Sequence, residues 1–253
     1  MARLFLAGDV MLGRGMDQAL SDSCPPELQE PYVKDAREYV RIAEDRNGSL
    51  DAPLRAEEPW GVVIDLLHQE GAGHFIINLE NAVTVDGQYW PDKGIHYRMH
   101  PRNIDVFQAA GVDCCSLANN HALDFDRSGL EETLDHLSAA RIAAVGAGAT
   151  LSEARKVCYL GGEKQPAGEA AGPPENLPVT SGKVAVLAVC FPDSGVPHLW
   201  AAEDDTSGLF FLREPGERAA ATVVDALQDV PEEVPRVLSV HWGSNWGYEI
   251  PEK

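Results

Sequence analysis

Short apolar segments alternate with amphipathic helical segments along most of this chain. Apolar segments of strand length occupy residues 3–7, 74–79, 112–118, 142–145, 157–160, 183–189 and 237–240. Helical spacing of apolar residues occupies 14–20, 32–45, 58–69, 103–110, 128–140 and 217–228. Strands that alternate with helices are typical of a parallel sheet covered by helices. The sequence therefore predicts an α/β fold with mostly parallel strands.

The predicted helix at 128–140 carries a start signal. Ser128 precedes its apolar positions, and Glu131 follows three residues later, which is a capping-box pattern. We therefore expect Ser128 to be the N-cap of this helix.

Polar side chains follow four of the predicted strands at their carboxyl ends. They are Asp9, Glu80, Asn119, Asn120, His121 and His241. In open α/β sheets this rim is where ligands bind. Mixed oxygen and nitrogen donors suit Mn²⁺, Zn²⁺ or Fe²⁺ better than Ca²⁺, which prefers oxygen alone. The pattern predicts a site for one or two divalent metal ions.

Each of these signals alone has a simpler structural explanation. Asn119 and Asn120 are good helix caps, and His241 before Trp242 fits a hydrogen-bonded histidine in the core. Because four strand ends carry the same kind of chemistry, we favour one common site over separate structural roles.

The charge balance narrows the possible partners. The 253 residues include 40 acidic and 20 basic side chains, a formal net charge of −20. This charge argues against nucleic acid and anionic membrane surfaces as general partners. No apolar stretch approaches the roughly 20 residues of a membrane-spanning helix. Five cysteines without a Cys-x-x-Cys pair fit a reducing compartment. We expect a cytoplasmic protein without a signal peptide or transmembrane segment.

A single domain is expected over residues 1–253. Residues 161–181 are rich in Gly, Pro, Glu and Ala and lie between two predicted strands. A segment of this composition cannot bury enough apolar surface to order itself. We therefore predict a flexible insertion at 161–181.

Four motifs at the strand ends are specific as a set. They are Gly8-Asp9-Val10-Met11-Leu12-Gly13-Arg14, Asn78-Leu79-Glu80, Leu117-Ala118-Asn119-Asn120-His121 with Asp124, and Val240-His241-Trp242-Gly243. Together they resemble the bacterial capsule-synthesis protein family of the CapA, or poly-γ-glutamate, type, and the resemblance covers almost the whole chain. It implies a fold similar to that of the calcineurin-like metallophosphoesterases. That fold is a four-layer α/β/β/α sandwich with a metal site at the strand ends.

The resemblance also implies a set of metal ligands. Asp9 takes the place of the first metal-ligating aspartate, and Glu80 takes that of the bridging carboxylate. Asn120 corresponds to a metal-ligating amide and His241 to a later metal-ligating histidine. The implied cofactors are one or two Mn²⁺, Zn²⁺ or Fe²⁺ ions.

Two further residues correspond to the catalytic part of such a site. His121 matches the histidine that protonates a leaving group or holds a substrate oxyanion. Asp124 would fix the tautomer of His121, as carboxylates behind metal-site histidines do.

The chain departs from the family pattern at two points. The phosphoesterases usually carry a histidine where this chain has Met11, and a thioether is a poor ligand for a hard dication. The family also continues with a Gly-His-x-x-His-like element some tens of residues past His241, whereas this sequence ends at Lys253. We therefore expect a domain without its C-terminal part, and sheet edges that expose apolar residues.

Basic residues outside the metal ligands are candidates for substrate binding. Lys93 and Arg98 lie in a basic segment that resembles the family's, and Arg14 follows the first strand. These cations can hold anionic groups by charge-assisted hydrogen bonds, although solvated surface charge is the simpler explanation for each. His198 lies in another loop with family character. The expected substrate is an anionic polymer or an anionic small molecule.

These expectations lead to one main function and two alternatives. The main prediction is a divalent-metal-dependent hydrolase of capsule or poly-γ-glutamate biosynthesis that uses metal-bound hydroxide. One alternative is a non-catalytic accessory protein of a polymer synthase or exporter, with a degenerate metal site. The other is a nucleotide or other phosphoester phosphatase that shares only the fold. Association with a polymer synthase complex is compatible with the first two.

Overall fold

Strands and helices alternate along the chain in the computed structural model, which describes residues 3–70, 73–161 and 183–244. The strands are β1 Leu4–Val10, β2 His74–Leu79, β3 Ala82–Val83, β4 Arg98–Met99, β5 Val112–Ser116, β6 Ala143–Val145, β7 Ala147–Gly148, β8 Cys158–Leu160, β9 Val184–Cys190, β10 Gly208–Leu209 and β11 Arg236–His241. The α-helices are α1 Gly15–Ala19, α2 Arg37–Asn47, α3 Val62–Glu70, α4 Asp105–Ala109, α5 Asp126–Ala139, α6 Leu151–Ala154 and α7 Glu217–Leu227. Four short 3₁₀ helices span Glu58–Trp60, Pro101–Ile104, Pro192–Ser194 and His198–Trp200.

The first sheet is entirely parallel and has the strand order β1-β2-β5-β6. Its middle strands are mostly buried, and from Phe75 to Leu79 every residue of β2 is buried. Burial on both faces explains why β2 has a continuous apolar run rather than an alternating pattern. The prediction of an α/β fold with mostly parallel strands is confirmed.

The second sheet has the order β11-β9-β8. β11 runs parallel to β9, with Arg236 opposite Ala185 and His241 opposite Cys190. β8 is antiparallel to β9. Two small two-stranded sheets, β3 with β4 and β10 with β7, complete the described strands.

Strand β9 joins the layers, because its two faces pack on different partners. Val186 and Ala188 belong to the main core that the first sheet also lines. Leu187 and Val189 point the other way and pack with Ala219 of helix α7. This period of two is that of a strand buried on both sides. Helices α4 and α5 contact β5 and β6 of the first sheet, so the order of layers is helix, sheet, sheet, helix, as expected from the resemblance.

Several helices begin at other residues than predicted, and two of them show why. α5 begins at Asp126 rather than Ser128, with the Gly129 amide donating to the Phe125 carbonyl, so Ser128 is not the N-cap and that prediction was wrong. α2 begins at Arg37 rather than at residue 32. Asp35 Oδ1 accepts a hydrogen bond from the Arg37 amide at 2.9 Å and so satisfies a free donor of the first turn.

Apolar side chains are exposed on β1 and β11, which are the terminal strands of the two sheets in the described part of the chain. Leu6 of β1 is 62% exposed, and Leu238 and Val240 of β11 are 42% and 44% exposed. None of the helices among the described residues combines the length and apolar character needed to cross a membrane. The segment predicted as a flexible insertion lies, apart from Gly161, outside the described residues.

Candidate functional site

A bulge in β1 brings Asp9 next to the end of β2. Leu6 lies opposite Ile76, whereas Asp9 lies opposite Asn78, so β1 has one more residue than β2 in this interval. An extra residue moves the following side chains to the other face of the sheet. Asp9 therefore shares a face with Asn78 and Glu80.

Asn78 links the two carboxylates, and it was not among the predicted site residues. Its Nδ2 donates to Asp9 Oδ1 at 2.8 Å and to Glu80 Oε2 at 2.6 Å. A signal for this role was present in the sequence, because residues two apart in a strand point to the same face. Asn78 and Glu80 are two residues apart at the end of an apolar run.

The predicted ligands Asp9, Glu80 and His241 form one cluster. One ligand atom from each residue lies within 4.8 Å of the others. His241 Nε2 is 3.9 Å from Glu80 Oε1 and 3.0 Å from Asn120 Oδ1. All four predicted metal-binding residues are thus neighbours. His241 ends β11, however, which belongs to the second sheet. The cluster therefore lies between the two sheets rather than along the rim of one.

Burial and neighbouring charge shift the pKa values of two residues of the cluster. Burial, and secondarily the charge of Asp9, raise the pKa of Glu80 to about 8. Burial lowers the pKa of His241 and thereby favours its neutral form, which is the form that binds metals. Two carboxylates, an amide oxygen and a neutral imidazole are a donor set that fits Mn²⁺, Zn²⁺ or Fe²⁺.

His121 and Asp124 lie together beside this cluster. His121 Nδ1 is 2.7 Å from Asp124 Oδ2, and Asp124 is fully buried. Asp124 Oδ2 also accepts a hydrogen bond from the Tyr97 amide at 2.7 Å. Because a carboxylate oxygen only accepts, the geometry selects the tautomer of His121 with hydrogen on Nδ1 and leaves Nε2 as an acceptor. Burial lowers the pKa of His121, and the charge of Asp124 opposes this shift.

Tyr97 completes the surroundings of His121 and was not predicted. Its ring stacks on the imidazole with a centroid distance of 4.0 Å and an interplanar angle of 26°. The strand pairing of β3 with β4 and the Ala82 amide bond to the Tyr97 carbonyl hold this segment in place. Tyr97 lay inside the basic segment singled out from the sequence, but nothing local in that segment indicates a stacking role.

Asn119 has a structural environment. Its Nδ2 donates to Asn78 Oδ1 at 3.0 Å and to the Leu79 carbonyl at 2.8 Å, and its Oδ1 accepts from the His121 amide at 3.0 Å. The side chain is fully buried. Asn119 therefore ties the end of β5 to the end of β2 and fixes the turn that carries Asn120 and His121.

Two of the predicted substrate-binding cations are paired inside the protein. Arg14 Nη2 forms an ion pair with Glu30 Oε2 at 2.7 Å, and the guanidinium lies 4.0 Å from the Tyr39 ring centroid. Lys93 forms a buried ion pair with Asp124. The two cations that were predicted to bind an anionic substrate are thus already paired with carboxylates of the protein.

The other two predicted substrate-binding residues contact aromatic rings. Arg98 lies 4.2 Å above the ring of Phe125. His198 is exposed and packs edge-on against Phe211, with a centroid distance of 5.2 Å. Substrate binding by Arg14, Lys93, Arg98 and His198 stays a prediction.

Met11 lies in the loop after β1 and lines a mostly apolar cavity. Met16 of α1, Val40 of α2 and Leu54 line the same cavity. The position where the phosphoesterases usually carry a histidine is thus next to apolar side chains in this chain.

The chain is similar to known proteins over most of its length. Residues 3–168 match the family model described as bacterial capsule synthesis protein PGA_cap. Two relatives are both named probable polyglutamine synthesis accessory protein, from Mycobacterium tuberculosis strains CDC 1551 / Oshkosh and H37Rv. Each is 40% identical over 250 residues, which are 97% of this chain and 61% of the relative. The chain therefore spans about three fifths of the length of these relatives.

A third relative is similar in sequence over a shorter stretch. The PGA biosynthesis protein CapA of Bacillus subtilis strain 168 is 35% identical over 80 residues, which are 31% of this chain and 21% of that protein. The family match includes Asp9, Glu80 and the segment from Asn119 to Asp124. Since the family model covers well over half of the chain, this protein belongs to the bacterial capsule synthesis protein family PGA_cap.

Proposed function

We propose that this protein is a divalent-metal-dependent hydrolase that acts on an anionic substrate in capsule or poly-γ-glutamate metabolism. The observation that carries the proposal is the convergence of Asp9, Glu80 and His241, whose ligand atoms lie within 4.8 Å of one another. Asn120 adds an amide oxygen 3.0 Å from His241 Nε2. These four residues would hold Mn²⁺, Zn²⁺ or Fe²⁺, as one or two ions.

The residues beside the cluster have a defined chemical role in this proposal. A bound dication supplies Lewis acidity, which activates water and polarises an oxygen of the substrate. Asp124 holds His121 with hydrogen on Nδ1, so Nε2 is available to exchange a proton with a reacting group. The stacked Tyr97 ring limits rotation of the imidazole.

The net charge of −20 does not exclude an anionic substrate. Charges on the distant surface are screened over about 8 Å at physiological ionic strength. Because Arg14 and Lys93 are paired with Glu30 and Asp124, a dication on Asp9 and Glu80 is the positive charge best suited to attract the substrate.

Association with a polymer synthase complex and a cytoplasmic location are part of this proposal. Support for the association comes from the mycobacterial relatives, which are named accessory proteins of polyglutamine synthesis. Copurification of the protein with the subunits of a polymer synthase would test the association, and cell fractionation would test the location.

Turnover assays with matched variants test the hydrolase proposal. The protein is incubated with γ-glutamyl oligomers and with a panel of phosphoesters, in Mn²⁺ or in EDTA. We expect turnover of one class of substrate that EDTA abolishes. Glu80→Gln and His241→Ala should reduce this turnover by about 100-fold or more. The exposed Asp51→Asn serves as the control and should retain full activity. Metal binding without turnover of any substrate would contradict the proposal.

A non-catalytic accessory role is the second candidate. The observation in its favour is Met11, which lines an apolar cavity where the phosphoesterases usually carry a metal-binding histidine. This alternative predicts metal binding without chelator-sensitive turnover. Turnover of nucleoside phosphates in preference to γ-glutamyl compounds would instead support the phosphatase alternative.

A further inference from the structure

Lys93 occupies a buried position directly behind His121. Its Nζ donates to Asp124 Oδ1 and to the Asn120 carbonyl, and it lies 3.1 Å from His121 Nδ1. The Lys93 side chain is 15% exposed, while that of Asp124 is 0% exposed. A lysine that binds an anionic substrate at the surface would be exposed and unpaired, whereas Lys93 is neither.

Aromatic packing separates the Lys93 ammonium from solvent. Nζ lies 5.3 Å from the ring centroid of Trp200, which is fully buried. Trp90 packs edge-on against Trp200 at 5.4 Å. A charge in such surroundings is costly unless a counter-ion compensates it. Burial lowers the pKa of Lys93, and the charge of Asp124 opposes that shift.

The contacts of His121 Nδ1 show how Lys93 can influence the imidazole. Asp124 Oδ2 at 2.7 Å requires a hydrogen on Nδ1. An ammonium cannot accept a hydrogen bond, so Lys93 has no favourable bond to that N–H. The hydrogen-bonded route from Lys93 to the imidazole therefore runs through Asp124, whose other oxygen it binds.

We propose that Lys93 is a positioning residue of the site, which neutralises and orients Asp124 so that His121 presents Nε2 to the substrate. This role rests on the proposed function and replaces substrate binding as the role of Lys93. Lys93 also holds the turn that carries Asn120 and His121, because the same ammonium donates a hydrogen bond to the Asn120 carbonyl. Residues that support a metal-site histidine from behind typically contribute 10–100-fold to activity.

A double-mutant cycle tests whether Lys93 acts through Asp124. Lys93→Met should lower kcat by roughly 10–100-fold and leave KM nearly unchanged. In an Asp124→Asn background the same change should have almost no further effect on kcat, because the group it acts through has lost its charge. The exposed Lys34→Met is the matched control and should leave both constants unchanged. A large rise in KM at constant kcat, or the full loss of kcat in the Asp124→Asn background, would overturn the proposal.

The hydrogen on His121 Nδ1 provides a readout that does not need activity. NMR of the ¹⁵N-labelled imidazole should show a slowly exchanging hydrogen on Nδ1 in the wild type. In Lys93→Met that hydrogen should exchange faster with solvent, because Asp124 has lost the contact that holds its other oxygen. The same exchange rate in both proteins would overturn the positioning role. If Lys93→Met does not fold because Asp124 is left as a buried unpaired charge, the Lys93→Met/Asp124→Asn variant is compared with Asp124→Asn alone. The two should exchange this hydrogen at the same rate, and a clear difference would overturn the proposal. Faster exchange in Lys93→Met in a protein without turnover would support the role of Lys93 while refuting the hydrolase.

Discussion

His241 Nε2 lies 3.0 Å from Asn120 Oδ1, and this contact joins the ends of strands from two different sheets. Asn120 follows β5 of the first sheet, and His241 ends β11 of the second. The His241 backbone is held in turn, because its carbonyl accepts hydrogen bonds from the Phe191 amide and the Ser194 hydroxyl. The candidate metal site therefore depends on how closely the two sheets pack.

Gly146 is a sensitive point of that packing. It has φ +81°, and a Cβ there would lie 2.7 Å from Ala118 Cβ and 2.8 Å from Ala188 Cβ. These neighbours belong to opposite sides of the interface between the sheets. Gly146→Ala should destabilise the protein by about 3 kcal/mol, since it adds both backbone strain and overpacking. Urea unfolding measures this loss.

Gly94→Ala is the control for that variant, because a Cβ at Gly94 meets no heavy atom within 4 Å. It should change stability by less than about 0.5 kcal/mol. Equal stability of the Gly146 variant and the wild type would show that the sheets are not packed this tightly.

Asn119→Ala tests the turn that carries Asn120 and His121. The change leaves the Leu79 carbonyl, Asn78 Oδ1 and the His121 amide without their partner in a buried region. Unsatisfied buried polar groups cost about 1–3 kcal/mol each, so we expect a loss of about 3 kcal/mol. The exposed Asn47→Ala, which removes one bond to the Ala43 carbonyl, should cost less than about 1 kcal/mol. Similar losses for both variants in thermal and urea unfolding would contradict the structural role of Asn119.

The raised pKa of Glu80 predicts a pH dependence of stability in the metal-free protein. The pKa is about 8 in the folded state against an ordinary value of 4.5, with burial as the main cause and the charge of Asp9 as the second. The folded state thus binds the proton more tightly than the unfolded chain. The tighter proton binding by Glu80 therefore stabilises the folded state fully below about pH 4.5. This stabilisation is lost as the pH rises towards 8.

Glu80→Gln isolates this effect, because the amide does not titrate. In EDTA, the stability of the wild type relative to Glu80→Gln should fall by on the order of 3 kcal/mol between pH 5 and pH 8. Saturating Mn²⁺ should reverse the trend in the wild type, because a metal ligand must be deprotonated. If the stability difference between the wild type and Glu80→Gln stays constant over this pH range, the pKa of Glu80 is not raised by burial and this prediction is wrong.

Buried strands were the most predictable part of the fold. The apolar run at 74–79 predicted β2 at its observed bounds, His74–Leu79, because burial on both faces leaves an unambiguous pattern. The start of α2 was not predictable in the same way. None of its residues is buried, and its first turn is marked by a hydrogen bond that the Arg37 amide donates to Asp35.

The candidate site was only partly predictable for a similar reason. The positions of Asp9, Glu80 and His241 at strand ends predicted them as site residues. The pairing of the strands into two sheets depends on tertiary contacts, which the sequence pattern does not show. The ion pair of Lys93 with Asp124 joins residues 31 positions apart. Sequence alone shows a lysine in a basic segment, and only the folded chain shows that its charge is already paired.

Metal binding by Asp9, Glu80 and His241 is the central claim, and isothermal titration calorimetry tests it most directly. Mn²⁺ or Zn²⁺ is titrated into EDTA-treated wild type and into Glu80→Gln, His241→Ala and the exposed control Asp51→Asn. The wild type and the control should bind the ion with the same affinity. Glu80→Gln and His241→Ala should each bind the ion more weakly by about 10-fold or more. No binding by the wild type, or equal binding by all four proteins, would contradict the account.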